Sequence, residues 1–236
     1  ARGASSQTTG VASSPRLRWR FSTGGGTVES SPAVVGGIVY EGTFNLGLMA
    51  VDADTGRLRW HFPVGGLLRG SPAVEGGVVY FGADDDRFYA VDADSGQQLW
   101  VFELGRGGEQ SSAAVVDGTV YFGAFDRNVY ALDAATGDEV WRFGTGAGIL
   151  SSPAVAEGTV FIGSIDGNLY ALDSGTGEKR WSVRTSAPVF SSPSVSNGVV
   201  YFGSDDTYVR AVEAASGTEL WQFKTGAEVF SSPAIS

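Results

Sequence analysis

Five times the chain sets a carboxylate, a hydroxyl-bearing residue, a glycine and then a tryptophan in fixed order. The segments are VDADTGRLRW at 51–60, VDADSGQQLW at 91–100, LDAATGDEVW at 132–141, LDSGTGEKRW at 172–181 and VEAASGTELW at 212–221. A carboxylate beside a hydroxyl can ligate a divalent cation or act as a general base. A second acidic group, Asp84-Asp85-Asp86, is a candidate Ca²⁺ site, although its oxygen ligands are not laid out at alternating positions. His61 is the only histidine and follows Trp60, where the other copies carry Arg20, Val101, Arg142, Ser182 and Gln222. One histidine and no cysteine exclude a histidine metal site, a thiolate centre, a Cys nucleophile and a disulfide framework.

The spacing of these residues argues against chemistry. The six tryptophans fall at Trp19, Trp60, Trp100, Trp141, Trp181 and Trp221, a beat of 40 or 41 residues. A second series keeps the same beat: SSPAV at 30–34, GSPAV at 70–74, SSAAV at 111–115, SSPAV at 151–155, SSPSV at 191–195 and SSPAI at 231–235. Residues that return on every repeat carry architecture, since one catalytic carboxylate does not need five copies.

Each repeat holds four short apolar runs, labelled A to D: SPAVA (152–156), TVFIG (159–163), NLYALD (168–173) and KRWSV (179–183) in one copy. They alternate or are rich in β-branched and aromatic residues, and so read as strands. The A–B joints carry Gly36-Gly37, Gly76-Gly77, Asp117-Gly118, Glu157-Gly158 and Asn197-Gly198, which suit hairpin turns of positive φ. No stretch has helical periodicity. Units of about forty residues with four antiparallel strands are propeller blades.

At the C–D joint, Asp52, Asp92, Asp133 and Asp173 are placed to accept N–H bonds from two or three residues on. Glu213 fills that slot in the fifth copy with a longer arm. Gly56, Gly96, Gly137, Gly177 and Gly217 then supply the positive φ that closes the turn.

On these motifs the repeat resembles the quinoprotein-type (PQQ-like) β-propeller repeat with its tryptophan-docking motif. The resemblance covers residues 17–236 and implies that each tryptophan wedges between neighbouring blades. The expected fold is all-β: five complete four-stranded blades plus the D strand at Trp19 and the A strand at 232–236 of a further blade. Either a six-blade ring is incomplete or the chain is part of a larger propeller, and a truncated chain is the favoured expectation. Residues 1–16 read as a small, polar linker or N-terminal tail. Bare blade edges would invite pairing with another chain.

Function is expected where the repeats disagree. The D–A and B–C loops open on one face, the mouth of a propeller. Just ahead of each SSPAV start stand Glu29, Arg69, Gln110, Leu150, Phe190 and Phe230, three polar residues and then three apolar ones. The B–C loops add Phe44 with Asn45, the Asp84–Asp86 run, Phe125 with Asp126, Ile165 with Asp166, and Asp205-Asp206. Aromatics beside polar groups suit a protein or peptide partner.

The formal net charge of −10 excludes nucleic acid as the expected partner. No apolar run approaches a membrane span. Lys179 and Lys224 are the only lysines, a bias that suits high salt or GC-rich coding. The resemblance extends to the propeller lipoprotein of the outer-membrane β-barrel assembly machinery and to sensor domains of bacterial kinases. It implies an extracytoplasmic, non-catalytic binding or scaffold domain with no cofactor. The alternatives are a fragment or relative of a PQQ-dependent alcohol or sugar dehydrogenase, with PQQ and Ca²⁺ over the channel, and a purely architectural segment of an envelope protein.

Overall fold

Twenty short strands build the chain. Blade 1 comprises β1 (Ala33–Val35), β2 (Ile38–Thr43), β3 (Gly47–Asp52) and β4 (Leu58–Phe62). Blade 2 comprises β5 (Ala73–Glu75), β6 (Val78–Ala83), β7 (Arg87–Asp92) and β8 (Gln98–Glu103). Blade 3 runs through β9 (Ala114–Val116), β10 (Thr119–Gly123), β11 (Asn128–Asp133) and β12 (Glu139–Gly144). Blade 4 runs through β13 (Ala154–Ala156), β14 (Thr159–Gly163), β15 (Asn168–Asp173) and β16 (Lys179–Arg184). Blade 5 runs through β17 (Ser194–Ser196), β18 (Val199–Ser204), β19 (Tyr208–Glu213) and β20 (Glu219–Lys224). Every blade is one antiparallel sheet with its strands in chain order, and there is no helix among the described residues. The ring is not closed. This computed structural model describes residues 16–24, 28–44, 46–105 and 111–235. The tail at 1–15, Asn45 and Gln110 lie outside them.

Local sequence explains the turns. At the A–B joints both central residues are left-handed, as in Asp117 (φ 50°) with Gly118 (φ 75°), the backbone of a hairpin turn whose twist matches the flanking strands. Each C–D pairing slips by one residue beside an alanine, between Ala50 and Val51 in blade 1 and at the equivalent step in the other four. The bulge leaves the tryptophan paired with that alanine, as in Ala131 with Trp141.

The core lies between blades. Tyr121, Val129, Ala131 and Trp141 of blade 3 form one buried cluster with Val160, Ile162, Tyr170 and Leu172 of blade 4, and the same pattern joins the other neighbours. Inner strands carry a belt of hydrogen bonds. The Ser31, Ser71, Ser112, Ser152 and Ser192 amides donate to the hydroxyls of Ser71, Ser112, Ser152, Ser192 and Ser232 at 2.8–3.1 Å.

The two terminal segments differ from the strands expected of them. The segment around Trp19 and that at 232–235 sit in the D and A positions of a further blade but pair into no sheet. A blade's outer strand needs strand C and its inner strand needs strand B, and neither lies beside them among the described residues.

Candidate functional site

The repeated carboxylates close turns. Asp52 Oδ1 accepts the Thr55 amide at 2.9 Å and its hydroxyl at 2.8 Å, and Asp92 Oδ1 takes Ser95 in the same way. Asp133 and Asp173 each accept two amides, from Ala135 with Thr136 and from Gly175 with Thr176. These bonds favour the charged form and hold all four carboxyls below the usual range. The largest causes are the Arg59 guanidinium for Asp52, the Ser95 hydroxyl for Asp92, the Thr136 amide for Asp133 and the Arg180 guanidinium for Asp173. Glu213 departs as its longer arm suggests: its carboxylate takes the Ser216 hydroxyl but neither turn amide, while the backbone closure from the Gly217 amide to the Glu213 carbonyl persists at 2.8 Å.

The turn of one blade receives the tryptophan of the blade before it. Indole Nε1 of Trp19, Trp60, Trp100, Trp141 and Trp181 donates to the carbonyl oxygens of Ala53, Ala93, Ala134, Ser174 and Ala214 at 2.8–3.0 Å. The ring lies on the turn glycine so closely that a Cβ on Gly177 would stand 2.7 Å from Trp141. These residues are therefore inter-blade joints. His61 is exposed on β4, opposite Met49.

Arg69 joins Glu29 at 2.8 Å and Asp84 at 3.0 Å, an ionic group spanning blades 1 and 2. Farther round, Phe190 and Phe230 stack with centroids 5.7 Å apart. Phe230 is 63% exposed and Phe190 half-buried, so the pair lies at the surface. Phe44 and Phe125 are exposed at 53% and 46%, and Leu150 is half-buried. At the same end, burial first, then Glu228 and Asp206, pushes the Asp205 carboxyl up.

The Asp84–Asp86 run divides into three separate tasks. Asp84 meets Arg69, Asp85 accepts the Gly65 amide and the Tyr89 hydroxyl, and Asp86 takes a left-handed turn at φ 63°. Among the described residues no group of three or more His, Cys, Asp or Glu side chains is placed to hold a metal ion.

Asp85 belongs to a series that the sequence reading did not resolve. Asp126 accepts from the Gly105 amide and the Tyr130 hydroxyl, and Asp166 from the Gly146 amide and the Tyr170 hydroxyl. Each latch ties the B–C loop of one blade to the D–A connection of the blade before. Burial, then the carboxylate bond, pushes the Tyr89 and Tyr170 hydroxyls up to about 12. In blade 5 the tyrosine slot holds Arg210, whose bidentate pair with Asp206 at 2.9 and 2.6 Å is almost wholly buried. The Asp–Tyr spacing of four residues, at the same place in blades 2, 3 and 4, was the available signal.

Comparison with known proteins agrees with this geometry. The family described as "Beta-alanine-activating enzyme, beta-propeller" matches residues 8–236. The chain belongs to that family. No curated protein matches the sequence. Among solved structures, BamB from Moraxella catarrhalis superposes with a TM-score of 0.75 at 19% identity, covering 86% of this chain and 66% of that one. The computationally designed Ika8 protein superposes with a TM-score of 0.78 at 20% identity, covering 86% and 64%. The chain thus spans about two thirds of the length of either structure, and at these identities the likeness is one of fold.

Proposed function

We propose that this propeller is a non-catalytic binding domain that holds a protein or peptide partner at its mouth. The observation that carries the reading is the division of labour among its side chains. The repeated carboxylates are spent on turns and latches, while Phe44, Phe125 and Phe230 stand exposed on other loops at the end of the blades that carries the Glu29–Arg69–Asp84 group. Exposed aromatics near ion pairs on a rigid frame are the makings of a protein interface: an apolar anchor with a polar rim.

The likeness in fold to BamB supports an extracytoplasmic scaffold role, in keeping with the resemblance to the assembly-machinery lipoprotein. The family description, which names an enzyme, favours a second reading in which the propeller serves as one part of an enzyme. The two readings differ in a direct experiment. Alanine at Phe125 and Phe230 should remove cross-linked partners from an envelope extract while leaving the melting temperature unchanged. Partners retained in full by that variant would sink the mouth as the binding face. Dye reduction on adding PQQ, Ca²⁺ and an alcohol would instead favour the alternative of a PQQ-dependent dehydrogenase.

A further inference from the structure

The end of the blades away from the mouth is built from the A–B and C–D turns, and there one junction is unlike the others. A groove of about 510 Å³ runs between blades 3 and 4 at that end. Its walls are Val116, Tyr121, Val140, Val155 and Ala156, and its rim carries Asp117 and Glu157, one from the A–B turn of each blade. Both carboxylates are exposed and meet no hydrogen-bond donor or cation among the described residues.

The other copies show what this junction lacks. The extra residue of the C–D bulge, just ahead of each tryptophan, is Arg59 in blade 1 and Arg180 in blade 4. Each guanidinium binds the aspartate of its own turn, Asp52 at 2.8 Å and Asp173 at 2.7 Å. Blade 3 sets Val140 in that slot, 51% exposed, so Asp133 keeps only bonds from its own turn. The rim differs as well. Its slot is Gly36 and Gly76 in blades 1 and 2, both at φ 58°, whereas Asp117 and Glu157 stand there at φ 50°. Glycine enters that left-handed region freely and a glutamate only at a cost, so turn chemistry alone does not call for Glu157. Among the junctions of the five described blades, only that of blades 3 and 4 joins two rim carboxylates to an aliphatic bulge residue.

We infer that this groove docks an arginine side chain from a basic segment of a partner protein, with its methylenes on Val140 and Val155 and its guanidinium at the Asp117 and Glu157 carboxylates. Charge decides the occupant. The turns of blade 3 at this end carry Asp117, Asp133 and Asp138 and no lysine or arginine, and Arg180 of blade 4 is already held by Asp173 and Thr159. An arginine covers apolar surface with its stem while its head stays at a polar rim, and its planar fork matches carboxylates. Arg59 and Arg180 make the same kind of contact from within the chain. The groove lies at the end opposite the mouth, so this inference does not depend on the partner proposed there.

The probe is an acetylated, amidated hexapeptide of alternating arginine and valine, titrated into the whole chain by isothermal titration calorimetry at low salt. Its citrulline counterpart keeps the shape without the charge. The expected result is saturable binding at one site per chain. The citrulline peptide should bind at least about tenfold more weakly, as loss of charged hydrogen bonds implies. Asp117→Gly with Glu157→Gly, which copies Gly36 and Gly76, should weaken the arginine peptide as much and leave Tm unchanged or higher. Val140→Arg refills the slot as in blades 1 and 4 and should abolish binding with the fold intact. Glu75→Gln with Asp94→Asn removes equal charge from the groove between blades 1 and 2 and should bind like the parent.

The inference is overturned if the arginine peptide shows no saturable binding, or if the citrulline peptide binds as tightly. It is overturned if Val140→Arg keeps the peptide; should the rim pair fail to fold, that variant alone decides. Equal weakening by the Glu75 and Asp94 pair would reduce the effect to diffuse attraction by an acidic chain. Loss of the peptide in Phe125→Ala with Phe230→Ala, and its retention in the rim pair, would place it at the mouth instead.

Discussion

Gly177 and Gly198 have the same backbone angle, φ +73°, and different surroundings, which makes them a matched pair. A Cβ on Gly198 would meet nothing within 4 Å, whereas on Gly177 it would lie 2.7 Å from Cδ2 and Cε3 of Trp141. The indole cannot retreat, being 7% exposed and tied to the Ser174 carbonyl at 2.8 Å. Gly198→Ala should therefore cost only the left-handed conformation, about 1–2 kcal/mol. Gly177→Ala adds overpacking of about 1–3 kcal/mol on top of that. Guanidinium and thermal unfolding should separate the variants, at roughly 2–4 °C per kcal/mol for a chain of this size. A double-mutant cycle completes the test: in a Trp141→Ala background the Gly177→Ala penalty should fall to the Gly198→Ala value. The reasoning is refuted if the two glycine variants agree within about 0.5 kcal/mol, the usual spread for surface changes. It also fails if the excess at Gly177 survives removal of the indole.

The same joints make further predictions. Trp141→Ala should cost about 3–5 kcal/mol as a core truncation, while Trp221→Ala, at 46% exposure, should cost about 1 kcal/mol, measured by denaturant unfolding. Asp173 is held at about 2, chiefly by Arg180 and then by the Thr176 amide, so its contribution is present above the ordinary aspartate range and is lost as pH falls toward 2. Asp173→Asn should consequently destabilise at neutral pH and match the parent below about pH 2, as followed by circular dichroism. Tyr89 and Tyr170 are raised to about 12, so the latch contribution is complete below the ordinary tyrosine range and is lost as pH rises through 12. Tyrosinate absorbance should show both hydroxyls ionising above the ordinary tyrosine range, and Tyr170→Phe should remove one such late-titrating group and weaken resistance to alkaline unfolding.

Much of the fold was legible because its signals are local. The Asp173, Thr176 and Gly177 turn closes within four residues, and the Asp117-Gly118 hairpin needs only its own backbone angles. Their repetition at a 40-residue beat then dictated blades. The mouth was legible only in outline. That Glu29 and Asp84 share Arg69, or that Phe190 and Phe230 stack at the surface, depends on loops 15 and 40 residues apart meeting across blades. The Asp–Tyr latches were hidden for the same reason: Asp166 and Tyr170 are close in sequence, but the Gly146 amide that completes the latch is 20 residues away in the neighbouring blade.

The sequence by itself determined the unit, its strands, its turns and the residue that joins one blade to the next. Only the tertiary structure decided which joints are made. Trp141 and Trp221 stand in the same motif, with the same tyrosine on the facing strand, yet one is buried on Ser174 and the other is open. The physical reason is that a blade buries its apolar face against a neighbour rather than within itself, so burial belongs to the pair and cannot be read from either member.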